Sequence, residues 1–352
     1  MERAEFAKQL SRFLTRYDRF LLSGHIRPDG DSVGACVALA LAIREMGKEA
    51  IICFDGNPTR YTSVFETIKA LPDDVPVSRA GDQFTTGRNF AFIMLDCSEP
   101  DRTGRAAEGI MAASASMSID HHVTGKEAAD FNYCEPTTSS ASQILFGLFR
   151  LAGIPITKGM ADGLFAGVAY DTGGFRHSNA DAETFAMASE LRSLGVDSSF
   201  YMNYLFHTVP FKGEKAFAAA VSKAKIYAGG VLVSCMTRQD FAQLGTSPQS
   251  ADGVVGNLTE VEEATVVCYL REIDDGQIRV NMRSKCDVNV ARVASVYGGG
   301  GHVMAAGCTA HDPMLLVKMN LLKAIYRQMR ELNMPGIPEG YDPEAEEDDT
   351  AE

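Results

Sequence analysis

The sequence lacks any apolar run close to the roughly 20 residues that a membrane-spanning helix needs. Its longest candidate, Cys36–Ile43, is far too short to cross a bilayer. The first ten residues, MERAEFAKQL, also lack the apolar core of a secretory signal. We therefore expect a cytoplasmic protein without a membrane partner.

Cys-x-x-Cys pairs are also absent, although the chain contains eight cysteines. This absence argues against a thiolate metal site and against a disulfide scaffold. Most of the cysteines lie in apolar stretches, so we expect buried, reduced thiols. They are Cys36, Cys53, Cys97, Cys134, Cys235, Cys268, Cys286 and Cys308.

The chain has no excess of basic residues, since its 352 residues include 46 acidic and 33 basic side chains. The net charge is −13, and residues 339–352 contribute eight acidic side chains and no basic one. Without that segment the charge is about −5. Binding of a long nucleic-acid duplex requires a basic stripe, so we expect no such partner, while a short or terminal nucleotide stays open as a substrate.

The composition is typical of a globular protein, with 45% hydrophobic and 22% charged residues. Over residues 1–196 short apolar strands alternate with helices, which predicts an α/β domain with a parallel sheet and helices on both faces. Residues 197–223 are expected to form a helical connector. Strand-turn-strand patterns over 224–335 predict a smaller α+β domain, and the acidic segment 336–352 is expected to be disordered.

The predicted elements follow from short apolar runs and from helical periodicity. Strands are expected at 20–23, 49–54, 90–95 and 117–119, helices at 3–18, 32–46, 139–151, 158–169, 181–194 and 314–332, and a hairpin over 264–283.

Acidic and histidine side chains gather in four short clusters of the first domain. Three clusters directly follow predicted strands, and the carboxyl ends of parallel strands share one edge of a sheet. The clusters can therefore converge in space. They are His25 with Asp29 and Asp31, then Asp96, then Asp120-His121-His122, and finally Asp171.

Carboxylates mixed with imidazoles, without thiolates, favour a borderline divalent ion, above all Mn²⁺. A single Asp after a strand is more often a turn or cap residue, but the four clusters together favour a site. Six side chains exceed the needs of one ion, so they predict two ions that share a bridging carboxylate. The six are His25, Asp29, Asp31, Asp96, His121 and Asp171.

In the second domain, a glycine run over 298–301 precedes His302. Such a run indicates a backbone that a ligand can approach closely. Arg283, after a predicted strand, can fork onto a phosphate or a base edge. Taken alone, a flexible loop and a solvated arginine explain the same residues.

These motifs carry a family resemblance over about residues 10–330. The first-domain motifs resemble the four motifs of the DHH phosphoesterase family; they are His25-x-x-Pro28-Asp29-x-Asp31-x-x-Gly34, Asp96, Asp120-His121-His122 and Asp171-Thr172-Gly173. The segment Gly299-Gly300-Gly301-His302-x-x-Ala305-Ala306-Gly307 resembles the signature of the accompanying DHHA1 domain. Met282-Arg283-Ser284 resembles its Arg-Ser pair, with Met282 in place of a more usual Leu.

The resemblance implies a role for each residue. One Mn²⁺ would bind His25, Asp29 and Asp96, and the other Asp31, Asp96, His121 and Asp171, with Mg²⁺ or Co²⁺ as substitutes. Asp120 would orient a histidine, and His122 would face the scissile phosphate. The implied substrate-binding residues are Arg283, Ser284, Gly299, Gly300, Gly301 and His302.

The subgroup that the resemblance favours hydrolyses short oligoribonucleotides and pAp with water activated by two metals. A cyclic-dinucleotide (c-di-AMP) or pApA phosphodiesterase shares this chemistry and stays open. An exonuclease of single-stranded DNA would need a long basic channel, and the second-domain signature argues against an inorganic pyrophosphatase. A non-catalytic nucleotide-binding regulator would be expected to lose metal ligands. A homodimer stays open as the assembly.

Overall fold

The computed structural model describes residues 1–26, 28–54, 77–79, 89–122, 128–207, 211–251, 253–273 and 276–343. It divides into two compact units, Met1–Thr208 and Val209–Glu352. The division falls within the predicted connector, residues 197–223. Disorder is predicted for the acidic segment 336–352, and residues 344–352 of that segment lie outside the described residues. No described helix combines the length and the apolar character needed to cross a bilayer.

The first unit is built on a sheet of six parallel strands, in the order β3-β2-β1-β4-β5-β6 among the described residues. The strands are β1 (Arg19–Ser23), β2 (Glu49–Phe54), β3 (Val77–Arg79), β4 (Ala91–Leu95), β5 (Ala115–Asp120) and β6 (Phe131–Cys134). The helices are α1 (Arg3–Arg16), α2 (Gly30–Glu45), α3 (Ala107–Ala112), α4 (Ala141–Ala152), α5 (Lys158–Asp171), α6 (Ala182–Ser193) and α7 (Ser198–Phe206). A 3₁₀ turn, Pro100–Ala106, precedes α3.

Apolar side chains cover both faces of this sheet, because neighbouring residues of a strand point to opposite sides. In β1, Phe20 and Leu22 join the core with α1, α2, α4 and α5. Leu21 points to the other side, into a smaller core beneath the 3₁₀ turn and α3. The expected parallel sheet with helices on both faces is therefore confirmed.

Helices α2 and α5 pack in backbone contact, and glycines make this approach feasible. A Cβ on Gly34 would lie 2.3 Å from the Gly163 carbonyl oxygen, and a Cβ on Gly163 would lie 2.7 Å from that of Gly34. A Cβ on Gly167 would lie 2.6 Å from Asp31 Oδ1. The glycines thus bring the start of α2 close to α5, where two of the acidic clusters lie.

The second unit contains a mixed sheet in the order β11-β12-β10-β9-β8-β7. Its strands are β7 (Lys225–Tyr227), β8 (Val231–Met236), β9 (Val266–Glu272), β10 (Ile278–Ser284), β11 (Gly300–His302) and β12 (Ala305–Ala310). All neighbours are antiparallel except β8 and β9. Its helices are α8 (Phe211–Ser222), α9 (Arg238–Gln243), α10 (Val254–Thr259), α11 (Val290–Ala294) and α12 (Met314–Glu331).

One core of this unit lies between the sheet and the helices α11 and α12, and a second lies beneath α8 and α10. The predicted smaller α+β domain is confirmed, as are the hairpin of β9 and β10 and the final helix. Of the predicted turn between β9 and β10, residues 274–275 lie outside the described ones. The segment 300–310 forms strands β11 and β12, so reading the glycine run as a loop alone was wrong.

Substitution of Gly34 by alanine is expected to lower the free energy of unfolding by about 1–3 kcal/mol. The added methyl group meets the carbonyl of Gly163, which belongs to a rigid helix. Urea denaturation of the full chain measures the effect. The matched control is Gly256→Ala in α10, where a Cβ meets nothing within 4 Å and a gain of about 0.5–1 kcal/mol is expected. Equal effects in the two variants would contradict the close packing of α2 and α5.

Candidate metal centre

Three of the four clusters lie at the carboxyl edge of the first sheet. Strands β1, β4 and β5 are direct neighbours there, so His25, Asp96 and Asp120–His122 follow adjacent strands. The fourth cluster arrives from a helix, because Asp171 is the last residue of α5. The structure therefore brings together side chains that are up to about 150 positions apart in the chain.

Asp96 lies at the middle of the site, and its side chain is 1% exposed. Its Oδ2 is 3.3 Å from His25 Nε2, and its Oδ1 is 3.4 Å from His121 Nε2. Both oxygens are buried and make no hydrogen bond to any described residue. The backbone of Asp96 has φ +60°, an unusual value outside glycine that is found where a side chain must be held for function.

His25 and His121 turn their Nε2 atoms towards the carboxylates. His25 Nδ1 lies 2.9 Å from the Ile26 carbonyl oxygen, and donation there leaves Nε2 as the coordinating nitrogen. His25 Nε2 also lies 3.5 Å from Asp29 Oδ2. His121 Nε2 lies 3.1 Å from Asp171 Oδ2 and, within the described chain, is buried without a hydrogen bond.

Asp29 and Asp31 are held by backbone N–H groups at helix starts. Asp29 caps α2, and its Oδ1 accepts the N–H groups of Asp31 and Ser32, both at 3.0 Å. Asp31 lies in the first turn of α2 and is buried. Its two oxygens accept the N–H groups of Ala141 (2.6 Å) and Ser142 (3.0 Å), the first residues of α4. These contacts hold both carboxylates in place.

The Asp120 carboxylate contacts the ring of His122 rather than the ring of His121. Its Oδ1 lies 2.8 Å from His122 Nδ1 and also accepts the backbone N–H groups of His121 and His122. This arrangement fixes the orientation of the His122 ring and makes Nδ1 its donor. A carboxylate therefore orients the His122 ring, whereas a backbone carbonyl orients the ring of His25.

The electrostatics show how strongly the side chains interact. Burial lowers the pKa of His25 and of His121, but the carboxylates beside them outweigh it and raise these pKa values to about 11 and about 12. Burial and Asp96 raise the pKa of Asp31 to about 7. Burial and Asp31 raise the pKa of Asp171. Burial also acts to raise the pKa of Asp96, but His121 and His25 hold it well below its usual range.

Divalent cations fit this set of side chains. Potential ligand atoms form two groups, and within each group the atoms lie within 4.8 Å of one another. The first group is His25 with Asp29 and Asp96, and the second is Asp31 with Asp96, His121 and Asp171. Asp96 belongs to both groups, and its two buried oxygens lack the hydrogen bonds that burial normally demands. A third group joins Asp96 with His121 and His122. Protons or metal ions can supply the positive charge that offsets the negative charge of these carboxylates.

The expected substrate-binding residues lie in the second unit. Arg283 in β10 faces Ala305 in β12, and Ala305 faces His302 in β11, so the three positions form one row across the sheet. Ser284 is buried, and its hydroxyl donates to the Cys286 carbonyl at 2.9 Å, which stabilises the turn after β10.

The glycines beside this row have different surroundings. A Cβ on Gly299 would lie 2.4 Å from the Gly307 carbonyl oxygen, and one on Gly301 would lie 2.5 Å from that of Ala305. The close contact between β11 and β12 therefore explains why glycine stands at both positions. Gly300 has nothing within 4 Å on its Cβ side, so the space there is open.

Two supporting features escaped the sequence analysis. The α4 amides that hold Asp31 are backbone groups about 110 residues away, and only the capping Ser140 signals that a helix starts there. Asn179 donates from Nδ2 to the Asp171 carbonyl at 3.2 Å. The expectation of buried thiols holds for five cysteines, but it is wrong for the exposed Cys134.

Comparison with protein families places two domains on the chain. Residues 19–168 match the DHH family, N-terminal domain, and residues 228–331 match the DHHA1 domain. A protein from Bacteroides fragilis described as exopolyphosphatase-related shares the fold, with a TM-score of 0.84 and 21% identity. The match covers 94% of this chain and 98% of that one.

Two curated relatives extend the likeness. The bifunctional oligoribonuclease and PAP phosphatase NrnA of Thermus thermophilus is 29% identical over 82% of this chain and 83% of its own. The cyclic-di-AMP phosphodiesterase GdpP of Geobacillus thermodenitrificans is 26% identical over 86% of this chain and 46% of its own. This chain combines a DHH domain with a DHHA1 domain and therefore belongs to the DHH phosphoesterases, metal-dependent hydrolases of phosphoester bonds.

Proposed function

We propose that the protein is a Mn²⁺-dependent phosphohydrolase that cleaves phosphate esters of short oligoribonucleotides and of pAp. The observation that carries the proposal is Asp96, a buried carboxylate whose two oxygens face different histidines and make no hydrogen bond within the described chain. A bridging ligand between two ions needs such an arrangement. The likeness to the Thermus NrnA over most of both chains supports the substrate class.

His25, Asp29 and Asp96 would hold one ion, and Asp31, Asp96, His121 and Asp171 the other. When bound, the two ions supply Lewis-acid chemistry, since they acidify a water molecule and offset the charge of the phosphate. The α4 amides and the cap contacts keep Asp31 and Asp29 in place without a metal. The carboxylates are therefore arranged before the ions and the substrate arrive, which lowers the cost of reorganisation.

His122 is our candidate for proton transfer. Asp120 engages its Nδ1, so Nε2 is the atom that would donate a proton to the leaving oxygen. Burial acts to raise the pKa of Asp120, but His122 lowers it, so this carboxylate stays charged as its partner exchanges a proton. His122 thereby differs from His25 and His121, which we assign to the metals.

We assign substrate selection to the second unit, with Arg283, Gly300 and His302 as its main residues. The small Ala305 separates the positions of Arg283 and His302 in their row, which leaves room for a flat or anionic group on that face. Arginine binds phosphate through paired N–H groups. Gly299 and Gly301 would serve indirectly by shaping β11, and Ser284 by shaping the turn after Arg283.

A cyclic-di-AMP or pApA phosphodiesterase is the second candidate, because the Geobacillus relative matches most of this chain. Both candidates use the same metal chemistry and differ only in the nucleotide. Side-by-side turnover of pAp, a dinucleotide, a five-residue RNA and cyclic di-AMP separates them. Preferred hydrolysis of cyclic di-AMP would replace the first candidate with the second.

Chelation is expected to abolish hydrolysis, and Mn²⁺ is expected to restore it, because the proposed reaction needs the ions that the six assigned ligands would hold. Asp96→Ala should lose both ions and Asp171→Asn only one, since Asp96 serves both groups. Elemental analysis of the purified full-length variants measures bound metal per chain. Two tightly bound Mn²⁺ ions in Asp96→Ala would exclude the bridging role.

The metal-free protein is expected to lose stability as the pH rises from about 5 to about 8. Asp31 and Asp171 have raised pKa values in the fold, so at the start of this range the folded chain still holds protons that the unfolded chain has already released near its ordinary pKa of 3.8. His25 and His121 act in the same direction above about pH 6.5, because the folded chain keeps them charged. Stabilisation by Mn²⁺ should grow over the same range, since metal binding displaces protons.

Calorimetry with chelator measures this decline, which should be shallower in Asp171→Asn. The matched control is Asp181→Asn. Asp181 caps α6, and hydrogen bonds from Thr184 lower its pKa, so it titrates below this range. A decline of unchanged slope in Asp171→Asn would show that the carboxylate cluster does not cause it.

Arg283→Ala is expected to lower kcat/KM for pAp and oligonucleotides by about 10- to 100-fold, the value of a charge-assisted contact, and to leave bound metal unchanged. Hydrolysis of bis-p-nitrophenyl phosphate should change much less, whereas His122→Ala should lower both activities. The control is Arg279→Ala in the same strand, where Arg279 donates to Thr309 Oγ1 at 3.3 Å. Equal loss of both activities in Arg283→Ala would remove the second unit from substrate selection.

A further inference from the structure

A row of basic side chains on helix α12 has no part in the proposed hydrolysis. Lys323, Arg327 and Arg330 are exposed, and their spacing of four and three residues puts them on one face of the helix. With Tyr341 and Pro343 they line a cavity of about 720 Å³. We call these three side chains the basic row.

The chain leads from α12 back to this row. Arg330 Nη2 donates to the Tyr341 carbonyl at 2.6 Å, and the Tyr341 ring packs edge-on against Tyr326, with their centroids 5.0 Å apart. Pro343 is buried. The point from which residues 344–352 continue is therefore fixed at the rim of the cavity.

The basic row and the segment 344–352 carry opposite charges. The sequence of residues 344–352 is EAEEDDTAE, which has six carboxylates, no cation and no large apolar side chain. Two acidic residues, Glu331 and Asp342, also line the cavity, and Glu331 lies 3.9 Å from Arg292. The basic row thus carries a net positive charge next to the most acidic stretch of the chain.

The segment is also long enough to reach every member of the row. Along α12, Lys323 and Arg330 are separated by about 10 Å, whereas nine extended residues span up to about 30 Å. A segment tethered at the rim has an effective concentration in the millimolar range, which favours it over free anions. We propose that the basic row is the docking site of the acidic segment 344–352 of the same chain.

This docking is independent of the proposed hydrolysis and has its own consequence. Three exposed cations on one helix face attract nucleic acid without regard to sequence. A tethered acidic segment would cover these cations and would prevent nucleic acid from binding at a surface that has no part in hydrolysis. Because the contact consists of exposed ion pairs, salt weakens it.

Carbodiimide coupling on the full-length protein tests the proposal, because it joins lysine amines only to carboxylates in direct contact. At low salt, mass spectrometry should find Lys323 joined to carboxylates of 344–352, with the yield falling at high salt. Arg327→Gln should lower this yield about two- to fivefold, the value of one exposed ion pair. The matched control Arg238→Gln, an exposed arginine on helix α9 that does not line the cavity, should leave it unchanged.

Three outcomes would overturn the proposal. Coupling of the segment to the exposed Lys212 as often as to Lys323 would show that it has no preferred site. Products that join light and heavy chains, in a mixture of unlabelled and ¹⁵N-labelled protein, would assign the row to a second copy. Equal yields in wild type and Arg327→Gln would show that charge does not hold the segment.

A heparin column gives a second measurement. A variant with the six carboxylates of 344–352 changed to amides should elute at higher salt than wild type, because the basic row is then exposed to the polyanion. Changing Lys323, Arg327 and Arg330 to glutamine as well should return elution to the wild-type position. Co-elution of the amide variant with wild type would contradict the covering role.

Discussion

The burial of Asp96 is the constraint on which the metal centre depends. A carboxylate without hydrogen bonds inside a protein costs several kcal/mol unless positive charge lies beside it. His25 and His121 supply that charge as protons in the metal-free chain, which is why their pKa values rise and that of Asp96 falls. A divalent cation beside Asp96 would offset the same negative charge. The features that make the site unfavourable without positive charge are therefore those that would favour a bound cation.

Such a centre requires a rigid scaffold, because like-charged carboxylates repel one another. Backbone contact between α2 and α5 supplies it, and this contact depends on Gly34 and Gly163. Gly167 leaves space for Asp31 against Ser142, at the start of α4. The glycines have no chemistry of their own, yet they determine whether ligands from two helices and three strand ends can meet within the length of one side chain.

The sequence predicted the convergence of these side chains better than it predicted the contacts that support them. Asp and His residues directly after apolar strands are local signals, and the shared edge of a parallel sheet explains why they meet. The contact between Asp31 and the α4 amides is not local, and no side chain at 141 or 142 announces it. Strands β11 and β12 were missed because Gly299–Gly301 lacks the alternating apolar pattern of a strand, although contact with β12 is what excludes larger side chains at Gly299 and Gly301.

Substrate choice cannot come from the metal centre alone. Ions held by carboxylates and imidazoles act on the phosphate, which pAp, oligoribonucleotides and cyclic dinucleotides share. Discrimination between these nucleotides must therefore depend on groups that contact the base, the sugar or a second phosphate. In the second unit, the positions of Arg283, Ala305 and His302 lie in one row across the sheet, and we propose this row for that role. If the proposed row selects the substrate, changing its side chains would change the preferred nucleotide without changing the chemistry at the phosphate.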